Sequence, residues 1–235
     1  HPFRPLLVKA ELAEAQATAD LLNDLILRSQ ELLEQHPVNL RRRAMGKDMA
    51  NSIWPWSPGY RPAMRTLREM YGIGQGAVIS AVDLIRGIGV YAGLKVLHVE
   101  GATGLYDTNY EGKAEAALRA LGENDFVYLH IEASDEAGHE GDVDLKIKTI
   151  ENLDRRAIGP IYEALKQWND PVAIAVLPDH PTPCAVRTHT SRPVPFLIWK
   201  PGETPDGVTR FDEFSVEQGK YGILENDQFI KEFLA

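Results

Sequence analysis

Short apolar runs alternate with helical patterns from residue 76 onward, and this alternation constrains the fold more than any other feature of the chain. Alternating strands and helices are typical of a mostly parallel sheet with helices on both faces. Near-continuous apolar runs are typical of strands buried on both faces. The sequence therefore predicts an α/β fold. The predicted strands cover 76–80, 95–99, 125–131, 172–178 and 195–200, and the predicted helices cover 82–93, 110–121, about 142–167 and 226–234.

The beginning of the chain has a different pattern. Leucine and isoleucine recur at helical spacing among polar residues from Glu11 to Gln35, which predicts a long amphipathic helix. We expect this helix to stop at His36, because the residue before a proline is pushed out of the helical region. Residues 37–60 contain several prolines and two tryptophans, and we expect an irregular connection there.

Composition excludes several classes of protein. The formal net charge of -9 argues against a nucleic-acid partner. The single cysteine, Cys184, excludes a cysteine zinc cluster, so any metal must be held by nitrogen and oxygen ligands. The presence of one cysteine also suits a protein of the reducing cytoplasm. No window reaches the roughly 18 apolar residues of a membrane span, so no membrane partner is expected. The chain opens on His1 rather than on methionine, which favours an internal fragment or a processed start.

Potential metal ligands follow two of the predicted strands. Because ligands gather at the carboxyl ends of parallel strands, these positions are where a site is expected. Asp135 and His139 follow the third run at a spacing that puts both on one face of a helix. Asp179 and His180 follow the fourth run, and His189 stands nine residues beyond His180.

Each of these motifs also has an ordinary structural explanation. A single Asp-x-x-x-His pair on a helix is usually a pair of solvated side chains, and aspartate after a strand often caps a turn. Their joint occurrence at the ends of two predicted parallel strands, with a further histidine downstream, favours a metal site. The ligand types suit Mn²⁺, Zn²⁺ or Mg²⁺.

Several segments resemble the metal-binding blocks of the cofactor-independent phosphoglycerate mutases, in particular the archaeal-type branch of the alkaline phosphatase superfamily. The likeness covers nearly the whole chain. The segments that carry it are EASDEAGHEGD, LPDHPTP and RTHTSRPVPF, together with HPVNLRRRAMGKDMANSIWPW, SAVDLIRGIG and GATGLYDTNYEGKAEAAL.

The resemblance implies two metal sites and a reaction. Asp135, His139 and His189 match the ligands of one ion, and Asp179 with His180 matches part of the second ligand set. The implied reaction interconverts 3-phosphoglycerate and 2-phosphoglycerate through a phosphoserine. In it, two divalent ions offset charge on the phosphate and activate the serine.

The resemblance also implies that part of the family's machinery is absent. Family members take an aspartate ligand and the serine nucleophile from near their amino terminus, and nothing here matches that block. Ser80, Ser134 and Thr103 do not stand in the family's nucleophile context. We therefore expect residues 1–36 to be the tail of an inserted substrate-binding domain. Residues 37–235 are then the carboxy-terminal part of an alkaline-phosphatase-like domain that lacks its amino-terminal portion. We expect the isolated 235 residues to have little mutase activity.

Substrate phosphate and carboxylate groups also need polar and cationic partners. The candidates are Asn39, Arg42 and Lys47 in the basic stretch, and Lys113 further along. Each has an alternative as a surface or helix-end residue. Two other functions stay open at this stage: a phosphatase or phosphonate hydrolase of the same superfamily, and a metal-binding module without catalytic activity.

Overall fold

The computed structural model describes residues 7–56 and 59–235. The chain divides into two compact units, with the division between Pro62 and Ala63. Residues 1–6 of the first predicted domain and residues 57 and 58 of the predicted connection lie outside the described residues.

Within its described residues, the first unit contains two helices, α1 (Gln16–Glu34) and α2 (Pro37–Ala44), with a 3-10 turn at Ala13–Ala15 before α1. The long helix predicted from the apolar spacing is confirmed. The prediction that all of residues 37–60 are irregular is wrong, because α2 begins at Pro37. A proline at the first helical position loses nothing by lacking an N–H, and the ring of the extended His36 accepts a hydrogen bond from Val38 N.

Asn39 ties α2 to its surroundings in the first unit. Its side chain is 3% exposed. Its amide donates to Leu33 O at 2.7 Å and to Ala50 O at 2.6 Å, and it accepts from Ala50 N at 3.0 Å. Ser29 adds a further link by accepting from Ile53 N at 2.9 Å. These bonds hold residues on both sides of Pro37 together. The assignment of residues 1–36 and 37–235 to different domains stays a prediction.

The second unit follows the predicted alternation of strands and helices. Its elements are α3 (Leu67–Tyr71), β1 (Gly76–Ile79), α4 (Asp83–Tyr91), β2 (Lys95–Leu97), α5 (Tyr110–Leu121), β3 (Phe126–Leu129), α6 (Ala133–Glu140), α7 (Val143–Leu153), α8 (Gly159–Leu165), β4 (Ile174–Val176), β5 (Leu197–Trp199) and α9 (Gln228–Leu234). A π-helical turn at Asp154–Ile158 joins α7 to α8, so the long helix predicted at about 142–167 is present with a local widening.

The main sheet is parallel, with strand order β2-β1-β3. Val78 in the central strand pairs with Val96 on one side and with Tyr128 on the other. This confirms the predicted α/β class. All of β1 is buried, as its apolar run predicts, whereas β2 and β3 are half-buried, with Lys95 and Tyr128 exposed.

The last two strands differ from the prediction. β4 and β5 pair antiparallel in a separate two-stranded sheet. A parallel return needs a crossover, usually through a helix. Residues 177–196 instead form a proline-containing loop of turns, so β5 returns alongside β4 in the opposite direction.

Small side chains let α5 lie close to the main sheet. Ala116 and Ala117 pack with Ile79 of β1. Around them pack Leu97 at the end of β2, Val99 just after it, Val127 and Leu129 of β3, and Ile161 of α8. Packing here fixes the carboxyl ends of β1 and β3, where Ser80 and His130 stand next to the end of each strand. No helix in the described part of the chain combines the length and apolarity that a membrane span needs.

Candidate metal centre

Helix α6 carries the first predicted pair of ligands. It starts three residues after β3 and ends at Gly141, whose φ of 72° lies in the left-handed region. Asp135 and His139 are one turn apart on it, with His139 Nε2 3.2 Å from Asp135 Oδ2. The helical spacing predicted from the sequence is therefore present, and both side chains face the same side.

The loop after β4 brings His189 to this pair. Arg187, with φ of 59°, turns the chain just before His189. His189 Nε2 lies 3.1 Å from His139 Nε2 and 3.5 Å from Asp135 Oδ1. Ligands at about 2.1 Å from a tetrahedral ion are about 3.4 Å apart. His139 and His189 approach different oxygens of the Asp135 carboxylate, so these three side chains converge without all of their closest donor atoms meeting at one point.

His180 lies between the two predicted ligand groups. Its Nδ1 is 3.8 Å from Asp135 Oδ1, and its Nε2 is 3.6 Å from Asp179 Oδ2. Its ring also lies 3.7 Å, centroid to centroid, from the ring of His189. The structure thus brings all five predicted ligands into one region, with Asp179 reached through His180. Among the five predicted ligands, Asp135, His180 and His189 are the group whose donor atoms are close enough to share one ion. The assignment of His139 to the first ion, and the division into two sites, therefore stay predictions.

The donor atoms are chemically suited to such an ion. They are imidazole nitrogens and carboxylate oxygens, which bind Mn²⁺ and Zn²⁺ well. Cys184 is directed elsewhere, with its Sγ 3.9 Å from Ala137 O. His139 Nδ1 lies 3.1 Å from Arg187 O. A carbonyl at that position holds the proton on Nδ1 and leaves Nε2 free to bind metal, which is a common arrangement for histidine ligands.

A second group of polar residues lies at the carboxyl ends of β1 and β3. Ser80 Oγ is 3.2 Å from His130 Nδ1, and His130 Nε2 is 3.4 Å from Glu132 Oε2. Burial lowers the pKa of His130. Burial, followed by the nearby Asp135 and Asp179, raises the pKa of Glu132. Sequence reasoning missed His130 and Glu132, because what marks them is the contact of His130 with Ser80 after a different strand, and no spacing rule gives such a contact.

Lys113 is enclosed behind this group. It is 1% exposed, and its Nζ donates to His130 O at 3.3 Å. Burial lowers its pKa to about 8, although the charge of Glu132 acts in the opposite direction. Lys113 therefore belongs to the same edge of the sheet as the candidate ligands.

The remaining predicted substrate contacts lie in the first unit. The hydrogen bonds of Asn39 are taken up by backbone groups there, which favours a structural role. Arg42 Nε donates to Asp48 O at 2.6 Å, and the residue is exposed. Lys47 is also exposed.

Comparison with known proteins identifies the family. Residues 14–229 match the model of the Metalloenzyme superfamily. The chain belongs to the Metalloenzyme superfamily. Membership in this superfamily agrees with the convergence of histidine and aspartate side chains around α6.

Relatives within the superfamily bear out the resemblance to phosphoglycerate mutases. The chain is 51% identical over 217 residues to the 2,3-bisphosphoglycerate-independent phosphoglycerate mutase of Methanothrix thermoacetophila, covering 92% of this chain and 55% of the relative. It is 49% identical to 2,3-bisphosphoglycerate-independent phosphoglycerate mutase 2 of Methanothermobacter thermautotrophicus, covering 93% of this chain and 54% of the relative. The chain thus spans about half the length of these relatives.

Solved structures agree with this relationship. A protein from Pyrococcus horikoshii superposes with a TM-score of 0.76 at 37% identity, over 89% of this chain and 54% of that one. The cofactor-independent phosphoglycerate mutase of Thermoplasma acidophilum gives a TM-score of 0.53 at 26% identity, over 94% of this chain and 53% of that one.

Proposed function

We propose that this chain forms the carboxy-terminal, metal-holding part of a cofactor-independent phosphoglycerate mutase, which interconverts 3-phosphoglycerate and 2-phosphoglycerate through a phosphoserine. The observation that carries the proposal is the convergence of Asp135, His139 and His189: His139 Nε2 lies 3.2 Å from Asp135 Oδ2, and His189 Nε2 lies 3.1 Å from His139 Nε2 and 3.5 Å from Asp135 Oδ1. The names of the relatives supply the reaction and the substrate.

The proposed roles of the ligands follow from their places in the fold. Asp135 and His139 on α6, with His189 from the loop after β4, would hold one ion. Asp179 and His180 would hold a second ion together with groups outside this chain. Bound divalent ions supply positive charge that stabilises a phosphoryl group in transfer. The nitrogen and oxygen donors suit Mn²⁺, which we propose as the physiological ion, with the protein acting in the cytoplasm.

The serine nucleophile is proposed to come from the part of the relatives' length that this chain does not span. Ser80 is unsuited to the task. It is 2% exposed, and its Oγ already accepts from Val82 N at 3.0 Å. A nucleophile must reach a substrate atom, and this hydroxyl is closed off from solvent.

Substrate anions are proposed to meet cationic side chains of the chain. Lys113 supplies a buried amine at the edge of the sheet that carries the candidate ligands. Arg42 and Lys47 are exposed in the first unit and remain candidates for the carboxylate or phosphate of phosphoglycerate. Asn39 is better explained by its bonds to Leu33 and Ala50.

The proposal is tested by a coupled assay of phosphoglycerate interconversion. The assay compares the longest polypeptide that contains this chain with its His189→Ala variant, and the exposed neighbour Thr188→Ala serves as a matched control. We expect activity that is lost on chelation and in His189→Ala and is kept in Thr188→Ala. Hydrolysis of phosphate esters without interconversion would indicate a phosphatase of the same superfamily. Metal binding without either reaction would indicate a module without catalytic activity.

A further inference from the structure

Thr182 lies between the two proposed ligand groups. Its side chain is 3% exposed. Its hydroxyl makes a close hydrogen bond to Asp135 Oδ1 and lies 3.3 Å from His180 Nδ1. One buried hydroxyl therefore touches a ligand from each proposed site.

The chemistry of these groups determines which atom donates the proton in each of these two hydrogen bonds. An ionised carboxylate only accepts hydrogen bonds, so the Thr182 hydroxyl donates to Asp135. A lone pair on Thr182 Oγ1 is then left to accept from His180 Nδ1. A neutral imidazole carries one N–H, so His180 with its proton on Nδ1 has a free lone pair on Nε2. That nitrogen lies 3.6 Å from Asp179 Oδ2.

The backbone of Thr182 is held in place independently of any ion. Its carbonyl accepts from Lys146 Nζ of α7 at 2.6 Å. It also packs directly against Gly138 of α6, where a Cβ atom would collide with it. The preceding Pro181 accepts from Thr190 N at 3.0 Å, beside the ligand His189. The hydroxyl is therefore fixed relative to both α6 and the part of the loop after β4 that carries His189.

We propose that Thr182 is a positioning residue that couples the two ion sites by orienting Asp135 and fixing the tautomer of His180. The inference rests on the proposed function, because it concerns the ions of that centre. With Thr182 bound to its other oxygen, Asp135 would offer Oδ2 to an ion held with His139, and His180 would offer Nε2 to an ion held with Asp179. Loss of the hydroxyl frees the His180 ring to turn and leaves Asp135 Oδ1 without its donor.

The competing arrangement has His180 as a ligand of the first ion through Nδ1. Asp135, His180 and His189 are close enough for that geometry. In this case Thr182 competes with the ion for Nδ1, and removing the hydroxyl strengthens binding. The two arrangements thus predict opposite effects of the same substitution.

The test is calorimetric titration of the 235-residue chain with Mn²⁺ alone. We expect Thr182→Val to weaken Mn²⁺ binding on the order of 10- to 100-fold, as is usual when a group that orients a ligand is lost. Thr182→Ser restores the hydroxyl and is expected to bind within about threefold of wild type. Thr149→Val is the matched control, because it removes a buried threonine hydroxyl whose partner is Lys146 O within α7.

A second readout separates positioning from a change in stability. Nitrogen-15 NMR of the metal-free protein is expected to find His180 protonated on Nδ1 in wild type and in Thr182→Ser, and to lose that preference in Thr182→Val. Unchanged or tighter Mn²⁺ binding in Thr182→Val, or a wild-type His180 protonated on Nε2, overturns the inference while leaving the metal centre in place. A wild-type chain that binds no Mn²⁺ overturns the proposed centre and this inference together.

Discussion

At the scale of single residues, Lys113 combines burial with a titratable charge. Its amine is enclosed next to His130, and burial lowers its pKa to about 8 from an ordinary value of 10.5. The unfolded chain therefore binds the Lys113 proton more tightly than the folded chain. The free energy of unfolding must then rise with pH between about 8 and 10.5, because the tighter proton binding of the unfolded chain counts for less as protons become scarce.

The substitution Lys113→Met tests this linkage. We expect the variant to be more stable than wild type at pH 7, by up to about 3 kcal/mol from the shift in pKa. The difference should shrink steadily as the pH approaches 10. The measurement is the free energy of unfolding in urea, with a chelator present. A difference between the two proteins that stays constant from pH 7 to pH 10 would contradict the assigned pKa direction.

Asn39 provides the second prediction at this scale. Asn39→Ala removes three part-buried hydrogen bonds, to Leu33 O, Ala50 O and Ala50 N, which costs about 2 kcal/mol. We expect hydrogen exchange in α1 and α2 to accelerate in this variant. The exposed Arg42→Ala, as control, should leave exchange nearly unchanged. Normal exchange in Asn39→Ala together with a raised KM in the longer polypeptide would instead assign Asn39 to the substrate.

At the scale of elements, the contact between α6 and the loop after β4 depends on one glycine. A Cβ atom at Gly138 would collide with the Thr182 carbonyl and lie 2.9 Å from Thr182 Cγ2. We expect Gly138→Ala to cost about 1 to 3 kcal/mol and to weaken Mn²⁺ binding, because α6 must move away from the loop. Thermal unfolding and metal titration measure the two effects.

Gly87 in α4 offers the matched control for this prediction. A Cβ atom at Gly87 meets nothing within 4 Å. Gly87→Ala is therefore expected to stabilise the protein by about 0.5 to 1 kcal/mol, through the better helix propensity of alanine. The idea that packing between α6 and the loop shapes the site would fail if both alanine variants were equally stable and bound Mn²⁺ equally.

Element types were predictable from the sequence wherever local patterns determine them. The run Gly76–Ile79 and the helix Tyr110–Leu121 lie where their apolar spacing placed them. Helix α2 was missed because Pro37 ends one helix and begins the next. A proline can mark either the end or the start of a helix, and the neighbouring residues do not distinguish the two. The antiparallel pairing of β5 was missed because strand direction depends on the path of the connecting loop, which residue spacing does not encode.

At the scale of the whole molecule, the sequence predicted the ligand types better than their arrangement. Asp135 and His139 share a helix, so their approach follows from helical geometry. The approach of His189 to them, and the position of His180 between Asp135 and Asp179, depend on how the loop after β4 folds back onto α6. Thr182 gave no signal, because a threonine between two prolines is common in loops.

Whether these side chains hold divalent ions is measured by an anomalous difference map from crystals of the chain grown with Mn²⁺. The predicted result is one peak among Asp135, His139 and His189 and a second peak beside Asp179 and His180. The carboxylates of Glu132, Asp135 and Glu136 form a rival group that is also close enough to share an ion. A peak at that rival group, or a map without a peak near His189, would contradict the proposed metal centre.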